Sequence, residues 1–277
     1  MPRFSDKKAW HTVPQALALI ENARASRVDI NFDVSPYATT GSPLYLLIPA
    51  WARQGGFAEL FKLIDDPAEK QKIIAELLAL TLHYDKILVV SANTKTIVGH
   101  TLEEIALRSG LSPEEALLET VRANEGRVEI IGRTVSLKNT CRSIENQYSY
   151  IASDAAGYDQ SEMRSGNLVH PRSFGAFPHF LHRFVNERES LSPEEAVRKI
   201  TSGPGEKIRI AKRGLLKVDN FADAVVFDPV LIRDRAQYRN PYRYPVGVKW
   251  VVVNGKIAVE NGRYVEARAG RALRKGG

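Results

Sequence analysis

Cysteine is nearly absent from this sequence, since its 277 residues contain one, Cys141. A single thiol excludes an internal disulfide and is typical of a reducing compartment, so we expect a cytoplasmic protein. No apolar run approaches the roughly 18 residues that a membrane-spanning helix needs. The start, MPRFSDKKAW, lacks the apolar stretch of a signal peptide. We therefore expect no membrane segment, and the 44% hydrophobic content can build a full core.

Histidines are few, and no His-x-His pair occurs. The six are His11, His83, His100, His170, His179 and His182. His179 and His182 are three residues apart on a predicted helix and can share one face. This spacing favours a semi-exposed helix face over a metal site, and His100 is interpreted as a surface residue.

Acidic residues are outnumbered, with 32 Asp and Glu against 39 Lys and Arg, which gives a net charge of +7. Part of the excess lies near the C-terminus, at Arg263, Arg268, Arg271, Arg274 and Lys275. A basic tail can bind nucleic acid, but no nucleic-acid recognition motif accompanies it. Nucleic-acid binding is therefore disfavoured, and we expect a solvated, frayed end.

The most informative stretch runs from Tyr148 to Pro178. Its aromatic and β-branched start predicts a strand over 148–152, and Ser153-Asp154 with small residues follows. In parallel α/β folds the carboxyl edge of the sheet carries the chemistry. His170-Pro171-Arg172 comes after a polar loop, so a carboxylate, an imidazole and a guanidinium lie close in sequence. On spacing alone, a helix-capping Asp with a surface His and Arg is equally compatible.

The run SDA…HPRSFGAFP resembles the last barrel strand and following loop of the D-aminoacylases, which are N-acyl-D-amino-acid deacylases of the amidohydrolase superfamily. The resemblance implies that Asp154 is a catalytic general base and that Arg172 binds the substrate carboxylate. It also implies substrate contacts for Ser153, His170 and Tyr37.

The segment VDINFDVSPY, residues 28–37, resembles the strand-six region of the same family. That strand tip commonly supplies a zinc-binding His, and here Ser35 occupies the position. Because a Ser hydroxyl is a poor zinc ligand, no metal ligand is assigned. The resemblance implies zinc in the family, and we expect that this chain alone does not hold it.

The resemblance predicts an α/β fold, with a partial (β/α)₈ barrel of the TIM type over residues 1–205. Strands six to eight are expected near 28–34, 86–90 and 148–152, with insertion helices at about 99–125. A β-rich region, 206–277, is expected to be the C-terminal part of a small β-sandwich. Asn254-Gly255 between two apolar runs predicts a hairpin with a type I′ turn. Asp219 stands where the family has a turn glycine, which predicts a less relaxed turn.

The resemblance covers nearly the whole chain but only the second half of the family's length. It implies a hydrolase of linear amides that acts on an N-acyl amino acid, working as a fragment or with a second chain that supplies the N-terminal half of the barrel. The alternative is a catalytically silent half-barrel homologue that acts as a binding or scaffold protein. The acyl group and the amino acid stay open.

Overall fold

The computed structural model describes residues 7–80, 82–133 and 135–273. Its α-helices are α1 (Val13–Ala25), α2 (Ala50–Arg53), α3 (Gly56–Asp65), α4 (Pro67–Ala79), α5 (Leu102–Ser109), α6 (Pro113–Ala123), α7 (Leu137–Glu145), α8 (Arg172–Leu181), α9 (Pro193–Ile200) and α10 (Ser202–Lys207). Short 3₁₀ helices cover Lys7–Thr12, Leu44–Leu47, Tyr84–Lys86, Lys95–Ile97 and Gln160–Ser165, and a π-helical turn, His182–Glu187, continues α8. In the described part of the chain, no helix is both long and apolar enough to cross a membrane.

The strands form three sheets in the described residues. They are β1 (Phe32–Val34), β2 (Thr40–Pro43), β3 (Ile87–Ala92), β4 (Val128–Gly132), β5 (Ser149–Ile151), β6 (Ala224–Phe227), β7 (Val248–Val253), β8 (Lys256–Glu260) and β9 (Arg263–Tyr264). The sheet orders are β1-β5, β2-β4-β3 and β6-β7-β8-β9. The fold is therefore α/β, with helices and three small sheets in the described residues.

Strands β1 and β5 pair in parallel, with Val34 opposite Ile151. Their carboxyl ends therefore meet at one edge of the sheet, with Ser35 following β1 and Ser153-Asp154 following β5. This agrees with the expectation that Asp154 follows a strand at the carboxyl edge of a parallel sheet. Both strands are shorter than predicted, because regular pairing covers three residues of each.

The predicted seventh barrel strand is wrong in its partners. Strand β3 exists, but it pairs antiparallel with β4, which also pairs antiparallel with β2. A short apolar run such as KILVV is typical of any strand buried on both faces, parallel or antiparallel, so its composition could not identify the neighbour. The helices expected at about 99–125 are present as α5 and α6, and their assignment to an insertion in the barrel stays a prediction.

Two hydrophobic cores follow this division. One lies between the β2-β4-β3 sheet and the helices α2 to α6, with Leu44, Ile73, Leu117 and Val121 fully buried. The second joins α1, β1, β5, α8 and α9 around Ile144, Phe180 and Phe184. Ile232, which lies beyond the predicted 205/206 boundary, is buried in this second core. The boundary itself stays a prediction.

Local sequence signals place several elements correctly. Helix α1 covers the predicted Val13–Ala25. Asp66 caps α4 by accepting the backbone N–H groups of Ala68 and Glu69, as expected for an N-cap carboxylate. Ser112 and Glu115 form a reciprocal capping box at the start of α6. These signals succeed because the interactions that produce them lie within four residues.

The β-rich end forms one four-stranded antiparallel sheet in the described residues, and the expected β-sandwich stays a prediction. Asn254 and Gly255 join β7 to β8 with φ of 48° and 77°, which confirms the predicted turn. Asp219 adopts a φ of 68°, a left-handed conformation that favours glycine.

The basic tail differs in part from expectation, because Arg271 packs over the Phe221 ring at 4.2 Å from its centroid. The described part of the tail therefore contacts the rest of the chain through Arg271. Arg274 and Lys275, which were counted in the same basic tail, lie outside the described residues.

A buried lysine supports the amino end of β5. The Lys199 side chain is 0% exposed, and its Nζ donates to Asn146 O, Ser149 O and Ser149 Oγ at 2.7, 3.1 and 2.9 Å. Burial lowers the pKa of Lys199 to about 8, since desolvation disfavours the charged amine. Three hydrogen bonds offset part of that penalty and connect α9 to the strand that leads to Asp154.

We predict that Lys199→Met changes how stability depends on pH. The Lys199 pKa is about 8 in the folded chain and about 10.4 in an unfolded chain, so the unfolded chain binds more protons between these values. Wild-type stability therefore gains from this group as the pH rises through that window. Relative to Lys199→Met, the free energy of unfolding of wild type should rise by about 1.5 kcal/mol from pH 8 to about pH 9.5.

Urea unfolding at both pH values measures this difference, with the exposed Lys62→Met variant as control. Parallel pH profiles for wild type and Lys199→Met would contradict the assignment.

Candidate functional site

Asp154 lies three residues beyond the end of β5. Its φ is 53°, which is uncommon for a residue other than glycine and is most readily tolerated by Asn and Asp. The side chain is 59% exposed. A strained backbone that turns a carboxylate away from the strand end is a feature found at functional sites.

Arg172 is the first residue of α8, where sequence analysis expected the end of a loop. Pro171 precedes it as the N-cap, a place where proline's fixed φ is compatible with a helix start. The Arg172 side chain is 15% exposed, and its Nη1 donates to Asp154 Oδ2 at 2.7 Å. The structure therefore joins the two residues that the sequence singled out as base and clamp.

His170 is 7% exposed and orients the start of α8. Its Nδ1 accepts the backbone N–H of Arg172 at 3.0 Å, so the proton of the neutral ring lies on Nε2. Nε2 then donates to Thr39 Oγ1 at 2.8 Å. Thr39 Oγ1 lies 2.8 Å from the Tyr238 hydroxyl, and these contacts fix His170 between the loop after β1 and the C-terminal region.

Tyr37 lies behind His170 and contacts the ring edge-on, with 5.1 Å between centroids. Its hydroxyl donates to Asp234 Oδ2 at 3.3 Å, and its ring stacks on His179 at 4.4 Å. Asp234 Oδ1 also contacts His179 Nδ1 at 3.2 Å. Burial, and next the Asp234 charge, raise the pKa of Tyr37, so the hydroxyl stays protonated. Tyr37 thus packs against His170 and helps to hold its ring in place.

Asp154, His170 and Arg172 form a rim, and a cavity of about 390 Å³ lies between this rim and the β2-β4-β3 sheet. Asp154, His170 and Arg172 all line it. The opposite wall comes from the β2-β4-β3 sheet and the C-terminal region, and it includes Gly41, Val90, Ser91, Glu129, Ile130, Ile131 and Tyr242. A cavity of this volume is large enough for a small molecule.

The loop from Tyr158 to Val169 is tied to the opposite wall. Leu168 N donates to Val90 O at 2.7 Å, and the Tyr242 hydroxyl donates to Asn167 O at 2.9 Å. Val90 O is available because Val90 is the extra residue of a bulge, where the β3-β4 register shifts between Val89 and Ser91. The bulge therefore anchors the loop that leads to His170 and Arg172.

Two residues predicted to contact substrate do not line the cavity, namely Ser153 and Tyr37. Ser153 precedes Asp154 on the same rim, whereas Tyr37 acts through His170. Conversely, sequence analysis missed Glu129 and Tyr242, which line the wall. No local pattern marks them, because they reach the cavity through tertiary packing of distant segments.

The predicted histidine pair on α8 splits between two partners. His179 contacts Asp234, while His182 Nε2 lies 3.2 Å from Glu187 Oε1. Their i, i+3 spacing therefore does not produce a shared site. His100 contacts Glu104 and Arg108 at the start of α5.

The donor set in residues 7–80, 82–133 and 135–273 does not fit a catalytic zinc ion. These residues contain no group of three or more His, Cys, Asp or Glu side chains that could hold a metal. Ser35, at the tip of β1, is 1% exposed. Its hydroxyl oxygen has no hydrogen-bond partner among the residues that the structure describes, and a Ser hydroxyl does not replace an imidazole ligand.

Comparison with known proteins places this geometry in a family context. The amidohydrolase family profile matches residues 165–259. The N-acyl-D-glutamate deacylase of Alcaligenes xylosoxydans xylosoxydans is 30% identical over 275 residues, which is 96% of this chain and 46% of that protein. The chain spans about half the length of the curated relatives it matches.

Two solved structures share the fold. The crystal structure of a D-aminoacylase superposes with a TM-score of 0.72 at 24% identity, covering 97% of this chain and 48% of that one. The N-acyl-D-glutamate deacylase of Bordetella bronchiseptica, complexed with zinc and a phosphonate mimic of the tetrahedral intermediate, gives 0.68 at 24% identity, covering 93% and 46%. The structural likeness therefore extends over almost all of this chain.

We predict that the purified chain holds no stoichiometric catalytic zinc, because its described donors do not form a three-ligand site. Elemental analysis after dialysis against a metal-free buffer without chelator measures the bound metal. A ratio of about one tightly held zinc per chain, as in a structural or catalytic zinc site, would contradict this prediction.

Proposed function

We propose that this chain is a member of the D-aminoacylase family of the amidohydrolases, and that it supplies the general base and the substrate-carboxylate clamp of an N-acyl-D-amino-acid deacylase. The observation that carries the proposal is that Asp154 and Arg172 line one cavity at the carboxyl edge of a parallel strand pair. Sequence resemblance selected the same two residues independently of their geometry.

The strands β1 and β5, expected from the sequence as barrel strands six and eight, are in this proposal direct neighbours in a (β/α)₈ barrel, so that numbering is not kept. Their direct pairing supports this interpretation, since barrel neighbours run parallel and end at the same face. The β2-β4-β3 sheet and its helices then form an insertion between them that covers the active face. The remaining barrel strands would belong to the half of the family's length that this chain does not span.

Asp154 is suited to proton transfer. In amide hydrolysis a carboxylate accepts a proton from the attacking water and delivers it to the leaving amine. Asp154 lines the cavity, and its backbone is in the left-handed conformation. It can therefore reach a substrate amide without movement of the strand behind it.

Arg172 is suited to the substrate's free carboxylate, because a guanidinium presents paired N–H groups to a planar anion. One N–H, on Nη1, already donates to Asp154. Arg172 would thus hold base and substrate together, and His170 would fix its backbone by accepting its N–H. Backbone support of this kind keeps the guanidinium in place when the substrate arrives.

A second chain would complete the enzyme. The Bordetella relative is described with zinc, whereas the described residues here do not fit a metal site. The proposal therefore assigns the metal donors to a partner that carries the N-terminal half of the barrel. Such a partner would also pair with the open edges of β1 and β5.

The lack of a three-ligand group in the described residues also favours a second candidate function. In it, the chain is a catalytically silent homologue that binds an acylated amino acid or serves as a scaffold. Both candidates use Arg172 as a clamp, and they differ in whether Asp154 performs chemistry.

We predict that Asp154→Asn lowers turnover of an N-acetyl-D-amino acid by about 10²–10⁴-fold, as typical for loss of a general base. Asn keeps the shape of the side chain and cannot accept the proton, so the dissociation constant should change little. The measurement is kcat and Kd for the chain assembled with its complementary half, with the exposed Asp85→Asn as control. Unchanged turnover in Asp154→Asn would remove Asp154 from the mechanism, and no turnover in wild type would favour the silent homologue.

We predict that Arg172→Ala weakens an N-acyl amino acid about ten- to a hundredfold and its carboxamide far less. The reason is that a hydrogen bond to a charged group contributes roughly 1.5–3 kcal/mol. Arg172→Lys should recover part of the affinity, since it keeps the charge and loses the fork. Calorimetric titration of acid and carboxamide measures the difference, with Arg263→Ala on β9 as the charge control. Equal losses for both ligands would mean that Arg172 organises the loop and does not contact the carboxylate.

A further inference from the structure

The charges that line the cavity are unequal in sign. Among its described lining residues, the acidic side chains are Glu129, Asp154 and Glu162, and the basic side chain is Arg172. Arg172 is already partly engaged by Asp154 at 2.7 Å. Once a substrate's α-carboxylate occupies the rest of the guanidinium, the lining offers no second cation for another anion.

We propose that this cavity selects N-acyl amino acids with neutral or cationic side chains and excludes those with a second carboxylate, and that Glu129 is the selecting residue. The inference rests on the proposed function, because it takes Arg172 as the site of the α-carboxylate. It assigns a specificity that differs from the glutamate named for one relative.

Strand β4 places Glu129 toward the cavity by simple alternation. Val128 and Ile130 are buried in the core shared with α2 to α6, so Glu129 and Ile131 lie on the opposite face of the strand. Ile131 packs there with Val90 and Leu168, next to the loop that carries His170 and Arg172. Glu129 therefore extends the row of side chains that faces the site.

Among the described residues, loss of water is the one influence that shifts the pKa of the Glu129 carboxyl, with no charged or hydrogen-bonding partner contributing. Partial burial raises its pKa, as expected where no cation compensates the loss of water. Such a group repels a substrate carboxylate and attracts an ammonium or an amide N–H. By contrast, Glu104 and Glu195 both have arginine partners.

The expected size of the effect is modest. Two like charges several ångströms apart at a partly solvated site interact by an amount that corresponds to about a three- to tenfold change in affinity. N-acetyl-D-glutamine and N-acetyl-D-glutamate form a matched pair, since they have nearly the same shape and differ in one charge. Their affinity ratio isolates the electrostatic contribution from packing.

The experiment is calorimetric titration of the full chain with both ligands at about 0.15 M ionic strength. In wild type, the glutamine derivative should bind about three- to tenfold tighter. In Glu129→Gln the ratio should approach unity, and in Glu129→Lys it should invert. Glu103→Gln removes an exposed charge from α5 and should leave the ratio at its wild-type value. Thermal unfolding of each variant checks that it is folded.

The outcomes separate the two levels of the proposal. Binding of the glutamine derivative with equal or tighter binding of the glutamate derivative would overturn the assigned selectivity and leave the proposed function standing. A wild-type ratio that survives in Glu129→Gln would overturn the role of Glu129. Binding of neither ligand would contradict the proposed function itself, and the selectivity with it.

Discussion

The parallel pairing of β1 with β5 is the constraint on which the site depends. With Val34 opposite Ile151, the chain leaves both strands at the same edge, and Asp154 is delivered there by the residues that follow β5. A shift of one residue in this register would turn the side chains of the strand to the other face. Lys199 supports this pairing, since its buried amine donates a hydrogen bond to the backbone carbonyl of Ser149, the first residue of β5.

Asp154 and Arg172 also position each other. Asp154 and Arg172 belong to different segments, and their contact at 2.7 Å closes the loop between them. An exposed ion pair of this kind contributes little to stability, so its value lies in positioning. His170 adds a second restraint, because the same imidazole binds the Arg172 backbone and Thr39. Substrate binding would then exploit an arginine whose backbone is already held.

Sequence reasoning succeeded where the determining interaction is local or where parallel strands share an edge. The caps at Asp66 and Ser112 and the turn at Asn254-Gly255 depend on neighbours within a few residues. The partner of β3 was missed, because an apolar strand does not specify which strand it pairs with. The same limit applies to Glu129, which lines the cavity because β4 is the central strand of the β2-β4-β3 sheet.

The central claim is that the rim formed by Asp154, His170 and Arg172 binds an acylated amino acid. A titration of the ¹⁵N-labelled chain with N-acetyl-D-leucine, followed by ¹H–¹⁵N correlation NMR, tests it most directly, because each backbone amide reports on its own position. The account predicts the largest shifts at 154–156 and 170–173, with smaller shifts at 129–131 on the opposite wall. Shifts confined to the β6-β7-β8-β9 sheet, or no shift at any amide, would contradict it.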